Sequence, residues 1–493
     1  MVATSPGLPK IDADAPDAGG PVAHLAGRPT GDLQRVIDRA HELASAYLAG
    51  LPDRPGTPAP DPATLRAALD EPLPEAGSDP AEAVAEWLRR ADGGITSSSG
   101  PRFFGFVTGG VTPAALAGDW LTSAIDQNAA MWLSSPAASE TEAVVLRWLK
   151  ELFHLPVAWG GALTSGATMA NLVGLAAARQ WAGERNVFDP AVDGLGGRPA
   201  IPVVSSTEIH SSAVKALSTL GLGRGAVRKV RANAGVVDLD ALGAALSAID
   251  GPAIVVGNAA EVNTGQFDDL AGLAGLCAAH PGGAWLHVDA AFGLFAAATP
   301  RLHHLVAGIE RADSVAADGH KWLNVPYDSG FAFVRDTSYL KQAFSVSAAY
   351  TAGSTDTWDP MSHLPEMSKR FRGLAAWCAL KAYGRAGYRA MVERCVDNAA
   401  AFAGWVAATP GLELMSDVTL NIVCFRYVPA GLDDAATDAF NREAIRRLHA
   451  DGRVFLTGTV WDGRAALRPA FDNWSTTPDD VRILQEAVAD QIG

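Results

Sequence analysis

Cysteine is scarce in this chain: four residues in 493, at positions 277, 378, 395 and 424, with neither a Cys-x-x-Cys pair nor metal-ligand spacing. That pattern excludes a disulfide framework and a cysteine-built metal site, and it predicts buried thiols in a reducing compartment. Basic charge is also short. Lys and Arg total 39 against 54 Asp and Glu, a formal net charge of -15, and no Lys/Arg cluster offsets it, so nucleic acid is not an expected partner. No apolar run reaches the roughly 20 residues that span a bilayer, so no membrane partner is expected. The opening, Met1 to about Gly31, is rich in Ala, Pro, Gly and Asp and lacks the basic start and apolar core of a signal peptide. A soluble, cytoplasmic protein is the expectation.

What is present is the composition of a globular enzyme, 48% hydrophobic and 19% charged, in a chain too long for one ordinary domain. Residues 1–31 read as disordered. Residues 32–100 read as a helical segment, with helices at Leu33 to Leu51, Pro62 to Leu69 and Pro80 to Arg90. Val84, Trp87 and Leu88 share one helical face, but the segment makes a poor core alone, which predicts packing on the rest of the chain or on a second subunit. Residues 101–375 alternate strand, loop and helix, with β-rich runs at Ile201 to Ser205, Ala253 to Gly257, Trp285 to Asp289, Ser314 to Ala317 and Phe331 to Arg335. This is the pattern of an α/β domain whose mainly parallel sheet is covered by helices. Residues 376–493 read as a smaller α+β domain that opens with a long helical region from about Arg372 to Ala408.

Asp289 and Lys321 stand 32 residues apart, each just beyond an apolar run, close to the repeat of one strand-helix-strand unit. Both should emerge at the ligand-bearing edge of the sheet. A free lysine is neutral at pH 7 only about once in 2500 molecules, so a reactive one must have a lowered pKa or be held as an imine. One amine to hold an aldehyde and one carboxylate to keep a pyridine nitrogen protonated are what pyridoxal phosphate requires. A surface lysine and a capping aspartate are the plainer readings. The run Leu163-Thr-Ser-Gly-Ala-Thr-Met-Ala-Asn171 opens a helix whose small residues could close on a phosphate, with the Ser165 and Thr168 hydroxyls as donors; ordinary capping is the alternative. His210 follows a strand and precedes a helix, so it too should reach that edge, to stack on a ring or to serve the structure alone.

Taken together, the His-Val-Asp-Ala-Ala run at 287–291 and the His-Lys-Trp run at 320–322 resemble the group II pyridoxal-phosphate decarboxylases, the family of the aromatic-L-amino-acid, histidine and glutamate decarboxylases. The similarity extends from about Pro101 to the C-terminus, more weakly through the N-terminal helices. The resemblance implies a fold type I pyridoxal enzyme, aspartate aminotransferase-like, and a homodimer whose active site lies at the subunit interface. It makes Lys321 the Schiff-base lysine, Asp289 the pyridinium partner and His210 the ring-stacking histidine. It puts Ser165, Gly166, Ala167, Thr168, Thr264, Ala291, Asp318 and His320 on cofactor positions. The run Pro101 to Gly110 resembles the family's substrate-pocket strand, which makes Phe106, Thr108 and Gly109 candidate substrate contacts. Arg468 matches an arginine that binds a substrate carboxylate in related aminotransferases.

The same likeness matches Tyr350, 29 residues after Lys321, to a catalytic tyrosine on a mobile loop. Relatives that make aldehydes carry Phe there, so tyrosine favours simple decarboxylation, with its phenol protonating the carbanion left by carbon dioxide. Glu261-Val-Asn263-Thr264 stands where many relatives have a Thr-Thr pair, so Thr264 alone offers a hydroxyl. Gly109 and Gly110 are expected to leave a wall without side chains and to enlarge the substrate space. Phe103, Phe104 and Phe106 offer aromatic walls, and no cation cluster awaits a side-chain carboxylate, so an aromatic amino acid is favoured over aspartate or glutamate. The rivals are transamination, carbon-carbon lysis or oxidative deamination on the same cofactor, and a catalytically silent scaffold subunit.

Overall fold

The computed structural model describes residues 30–56, 61–345 and 357–492, so the expectations for the first 29 residues and for Tyr350 lie outside the described residues. Runs of apolar residues buried on both faces build most of the central sheet. Its strands are β1 (Gly160–Thr164), β2 (Val203–Ser206), β3 (Val227–Val230), β6 (Ala253–Asn258), β7 (Ala284–Asp289), β8 (Ser314–Asp318) and β9 (Gly330–Val334). A two-stranded ribbon, β4 (Ala232–Asn233) and β5 (Val236–Val237), intervenes in the chain. The order across the sheet is β1-β9-β8-β7-β6-β2-β3; β9 pairs antiparallel with both of its neighbours, and β8, β7, β6, β2 and β3 pair in parallel. Side chains alternate between faces, so Val255, Leu286, Val288 and Phe333 enter one core while Ile254, Val256, Trp285 and Val334 enter the other.

Helices cover the sheet as the alternating pattern predicts. In chain order they are α1 (Thr30–Gly50), α2 (Pro62–Leu69), α3 (Pro80–Ala91), α4 (Pro113–Ile125), α5 (Pro136–Leu152), α6 (Ala167–Arg185), α7 (Ser211–Thr219), α8 (Leu239–Ser247), α9 (Leu270–Ala279) and α10 (Ser338–Phe344). Proline opens α2, α3, α4 and α5, where its missing N–H would have had no partner in any case. The long α11 (Gly373–Ala408) is broken at Gly384, whose φ of +57° no helix can hold. Beyond it, β10 (Leu412–Leu414), β11 (Phe425–Tyr427), β12 (Thr457–Trp461) and β13 (Arg464–Arg468) form an antiparallel sheet in the order β10-β11-β13-β12, backed by α12 (Asp434–Asp451) and α13 (Pro478–Ala489).

The expected strand across Pro101 to Gly110 is corrected. Only Phe103 forms a bridge, to Phe455, because Phe106 and Val107 both take positive φ, +59° and +56°, and two such residues in succession cannot continue a strand. Cys277, Cys395 and Cys424 are buried, and burial pushes their thiols up to about 12; Cys378 is half-buried. Among the described residues no helix is long and apolar enough to cross a membrane.

Candidate active site

Five chain segments meet at the edge of the central sheet where its parallel strands end. Asp289 is the last residue of β7 and pairs with Asn258, the last of β6, while Asp318 is the last of β8. Gly166 and α6 follow β1, and His210 and α7 follow β2. The buried Asp289 carboxylate accepts from Asn171 Nδ2 at 2.8 Å, Ser212 Oγ at 3.3 Å and the Ala291 amide at 3.2 Å. Asn171 lies one helical turn after Ala167, so the helix start that reaches the edge also delivers this amide.

A chain of fixed donors sets the direction of that amide. Trp285 Nε1 donates to Ser314 Oγ at 2.8 Å, Ser314 Oγ lies 2.8 Å from His287 Nδ1, and His287 Nε2 lies 2.8 Å from Asn171 Oδ1. Burial holds the His287 imidazole down at about 4, so it is neutral near pH 7. Its single N–H then belongs on Nε2, facing the Asn171 oxygen, which turns the Asn171 NH2 toward Asp289.

This imidazole predicts an acid sensitivity. A histidine whose folded pKa is depressed is protonated first in the unfolded chain. Its contribution to stability is complete above its ordinary value of 6.5 and is lost as pH falls from there to about 4. The drop corresponds to about 3 kcal/mol. Asp268 and Asp472, raised by burial to about 6 and about 7, act in the opposite sense. The difference in urea stability between the wild type and His287→Gln should therefore shrink across pH 6.5 to 4, and a constant difference would refute the assignment.

The lysine loop begins directly after β8. Lys321 Nζ lies 3.5 Å from Asp318 Oδ2 and 5.5 Å from the centroid of the Phe292 ring. Asp318 Oδ1 accepts from the Ala167 amide at 2.6 Å, and the Asp318 amide donates to the Ala291 carbonyl at 2.9 Å. His320 Nδ1 donates to the Ser329 carbonyl at 3.1 Å, and its ring stacks on Tyr327 with centroids 4.1 Å apart. Gly166, the N-cap of α6, has no side-chain cap, and a Cβ there would come within 3.3 Å of both Asp318 Oδ1 and His320 Cε1. The amides after it remain at the positive end of a 19-residue helix.

His210 caps α7, with Nδ1 accepting from the Ser212 amide at 3.3 Å. Burial holds its imidazole below the usual value, and the charges of Asp289, Lys321, Arg468 and Asp318 all reach it. Arg468, at the end of β13, is buried and donates to the Val262 carbonyl and to Thr457 Oγ1. Ser165 is half-buried and Thr168 exposed beside the helix start. Thr108 Oγ1 lies 3.5 Å from the Tyr327 hydroxyl.

Three expectations about the pocket are corrected. Phe103 stacks on Phe455 and Phe104 packs on Phe471, both buried, so these rings are core and not pocket walls; Phe106 is 61% exposed. Gly109 and Gly110 open no space: a Cβ on Gly109 would fall 1.8 Å from the Lys321 carbonyl oxygen, and one on Gly110 2.6 Å from Asn473 Oδ1. The Thr264 hydroxyl is turned inward, donating to Glu261 Oε2 at 3.0 Å.

Asn171, Ser212 and Tyr327 were not among the site residues expected from the sequence. Helical spacing from Ala167 marks Asn171, and Ser212 follows His210 at the helix start. Tyr327 carries no such signal, since its contacts with His320 and Thr108 exist only in the folded chain.

An amine and a hydrogen-bonded carboxylate at one sheet edge, a small residue at 291 and a helix start of small residues fit a ring with an aldehyde, a basic nitrogen and a phosphate. They define a pyridoxal-phosphate enzyme of fold type I. The conserved domain of the pyridoxal-dependent decarboxylases matches residues 62–428, and this chain belongs to that family. An aromatic-L-amino-acid decarboxylase of Bacillus atrophaeus is 29% identical over 462 residues, covering 91% of this chain and 93% of that protein. Tryptophan decarboxylase 1 of Oryza sativa subsp. japonica is 29% identical over 485 residues, covering 93% of each. The crystal structure of Oryza sativa TDC with PLP and tryptamine superposes with a TM-score of 0.88 at 27% identity, over 94% of this chain and 99% of that one. The protein is a pyridoxal-phosphate-dependent amino acid decarboxylase.

Proposed function

We propose that the substrate is an aromatic L-amino acid, released as its amine and carbon dioxide, and that Lys321, Asp289, His210 and Tyr350 carry the reaction. The observation that carries this reading is the Asp289 carboxylate, locked by three donors on the strand next to the one that leads to Lys321. The substrate class is supported by the relatives, which are named for aromatic amino acids and tryptophan.

Pyridoxal phosphate, when bound, supplies an aldehyde that captures amines and a ring that accepts the electron pair released with carbon dioxide. Lys321 is the amine that holds it between turnovers, with Asp318 3.5 Å away as counter-charge. Asp289 keeps the ring nitrogen protonated. The neutral His210 imidazole offers a flat face to the ring, Ala291 leaves it room, and Gly166 and Thr168 present amides and the Thr168 hydroxyl to the phosphate, the Ala167 amide being held by Asp318. His320, tied to Ser329 and Tyr327, keeps its place as a supporting contact. Thr264 is left out of this set because its hydroxyl serves Glu261. Arg468 and Thr108 are the polar groups offered to the substrate carboxylate. Tyr350 returns a proton to the carbon that lost its carboxylate.

A homodimer, with the site at the subunit interface, belongs to the same proposal. Ile37 on α1, Trp87 on α3, and Trp120, Leu121 and Ile125 on α4 are exposed in the single chain, and a second copy would cover them. The divisions at residues 32, 101 and 376 and a cytoplasmic location complete the reading.

Mass spectrometry of amines formed from a panel of amino acids tests the substrate; best turnover on aspartate or glutamate would overturn the aromatic assignment. Tyr350→Phe should cut amine formation by about 10²–10⁴-fold, the usual contribution of a positioned proton donor. Amine formation at the wild-type rate would remove the tyrosine from the mechanism.

A further inference from the structure

The loop that carries Lys321 is held from behind by a residue with no part in the chemistry above. Asn324 is fully buried and sits at φ +53°, a conformation that asparagine tolerates better than other side chains. Its Nδ2 faces three carbonyls, Lys321 O at 3.2 Å, Trp322 O at 3.1 Å and Asp472 O at 2.9 Å. Its Oδ1 accepts from the Gly110 amide at 2.7 Å and the Trp474 amide at 3.0 Å. Its own carbonyl accepts from the Thr112 amide at 2.9 Å and Thr112 Oγ1 at 3.2 Å. One side chain thus joins the lysine loop, the segment from Gly109 to Thr112 and the loop from Asp472 to Trp474.

The neighbours are built around that amide. The Cβ that Gly109 lacks would fall 1.8 Å from the Lys321 carbonyl oxygen and 3.0 Å from Asn324 Nδ2, so only glycine lets this backbone close on the pair. Asp472, held through its carbonyl, is buried, with Oδ2 lacking a hydrogen-bond partner among the described residues. The charges of Lys321 and Arg468 reach its carboxyl group, which burial pushes up to about 7.

We propose that Asn324 is a positioning residue for Lys321: its amide fixes the register of these three segments and thereby the place of the lysine amine. The proposal rests on the reading of Lys321 as the cofactor-holding amine. Positioning of this kind shows in the formation of the cofactor linkage and in turnover, not in the fold alone, because a displacement near 1 Å can cost about 10²-fold in rate.

Asn324→Gly keeps the positive φ accessible and leaves space for water, so it is the first variant. The variant and the wild type are incubated with graded pyridoxal phosphate, reduced with borohydride and digested, and the labelled peptide is quantified. In Asn324→Gly, half-saturation of the Lys321 label should need about tenfold more cofactor and kcat should fall about ten- to a hundredfold, with substrate KM within about threefold and the apo-protein unfolding cooperatively. Thr112→Val, which removes one bond to the Asn324 carbonyl, should give the same split at smaller size. Saturation and kcat within about twofold of wild type in Asn324→Gly, whatever its unfolding temperature, would overturn the proposal by leaving Asn324 a purely structural role. If Asn324→Gly fails to fold, Thr112→Val decides: the same split supports positioning and wild-type values refute it. A label on a lysine other than Lys321 in the wild type would instead refute the reading of Lys321.

Discussion

Lys321→Ala is expected to fold, to lose the visible absorbance of the cofactor-lysine linkage and to release carbon dioxide about 10⁴-fold or more slowly than the wild type. The side chain is 15% exposed, and its partner Asp318 keeps the Ala167 amide at 2.6 Å when the amine is gone, so the carboxylate retains a charge-assisted hydrogen bond. The loss should be chemical, not structural. Lys321→Arg sharpens the test, because arginine restores a cation near Asp318 but its guanidinium stays protonated and cannot attack a carbonyl. Both variants should fall alike. A kcat within about a hundredfold of wild type in either would show that another group holds the cofactor.

Asp289→Asn carries the second largest expected effect, a fall of about 10²–10³-fold in kcat, the range for removing one preorganised electrostatic contact. The substitution conserves shape and removes charge, but its local geometry is unfavourable as well. Asn171 Nδ2 donates to one carboxylate oxygen and the Ala291 amide to the other, so the new NH2 must face a donor in either orientation. Asn171→Leu should reproduce part of the effect, since it frees the carboxylate to turn away. A kcat within about tenfold of wild type in Asp289→Asn would exclude Asp289 as the partner of the ring nitrogen.

Much of this site was legible before folding. Strands β6 to β9 stand out as apolar runs, and their spacing put Asp289 and Lys321 at one edge, as found. Strand β1 did not stand out. Its sequence Gly-Gly-Ala-Leu-Thr has little β preference, and it exists because β9 offers a partner so close that a Cβ on Gly161 would lie 2.0 Å from the Ala332 carbonyl oxygen. Phe103 and Phe104 misled for a related reason: aromatic side chains suit a pocket wall and a core equally, and which they line depends on Phe455 and Phe471, far along the chain.

The order of residues alone specified the class of chemistry, because few residue types can do it: an amine for an aldehyde, a carboxylate for a ring nitrogen, small residues at a helix start. It also determined the central sheet, since continuous apolar strands must be covered on both faces. What surrounds those groups depends on packing between distant segments. Asn171 and Asp289 are 118 positions apart, Ala167 and Asp318 are 151, and Asn324 and Asp472 are 148. Hydrogen bonds across such separations have no local signature, because each depends on a direction that the backbone acquires only when distant segments pack.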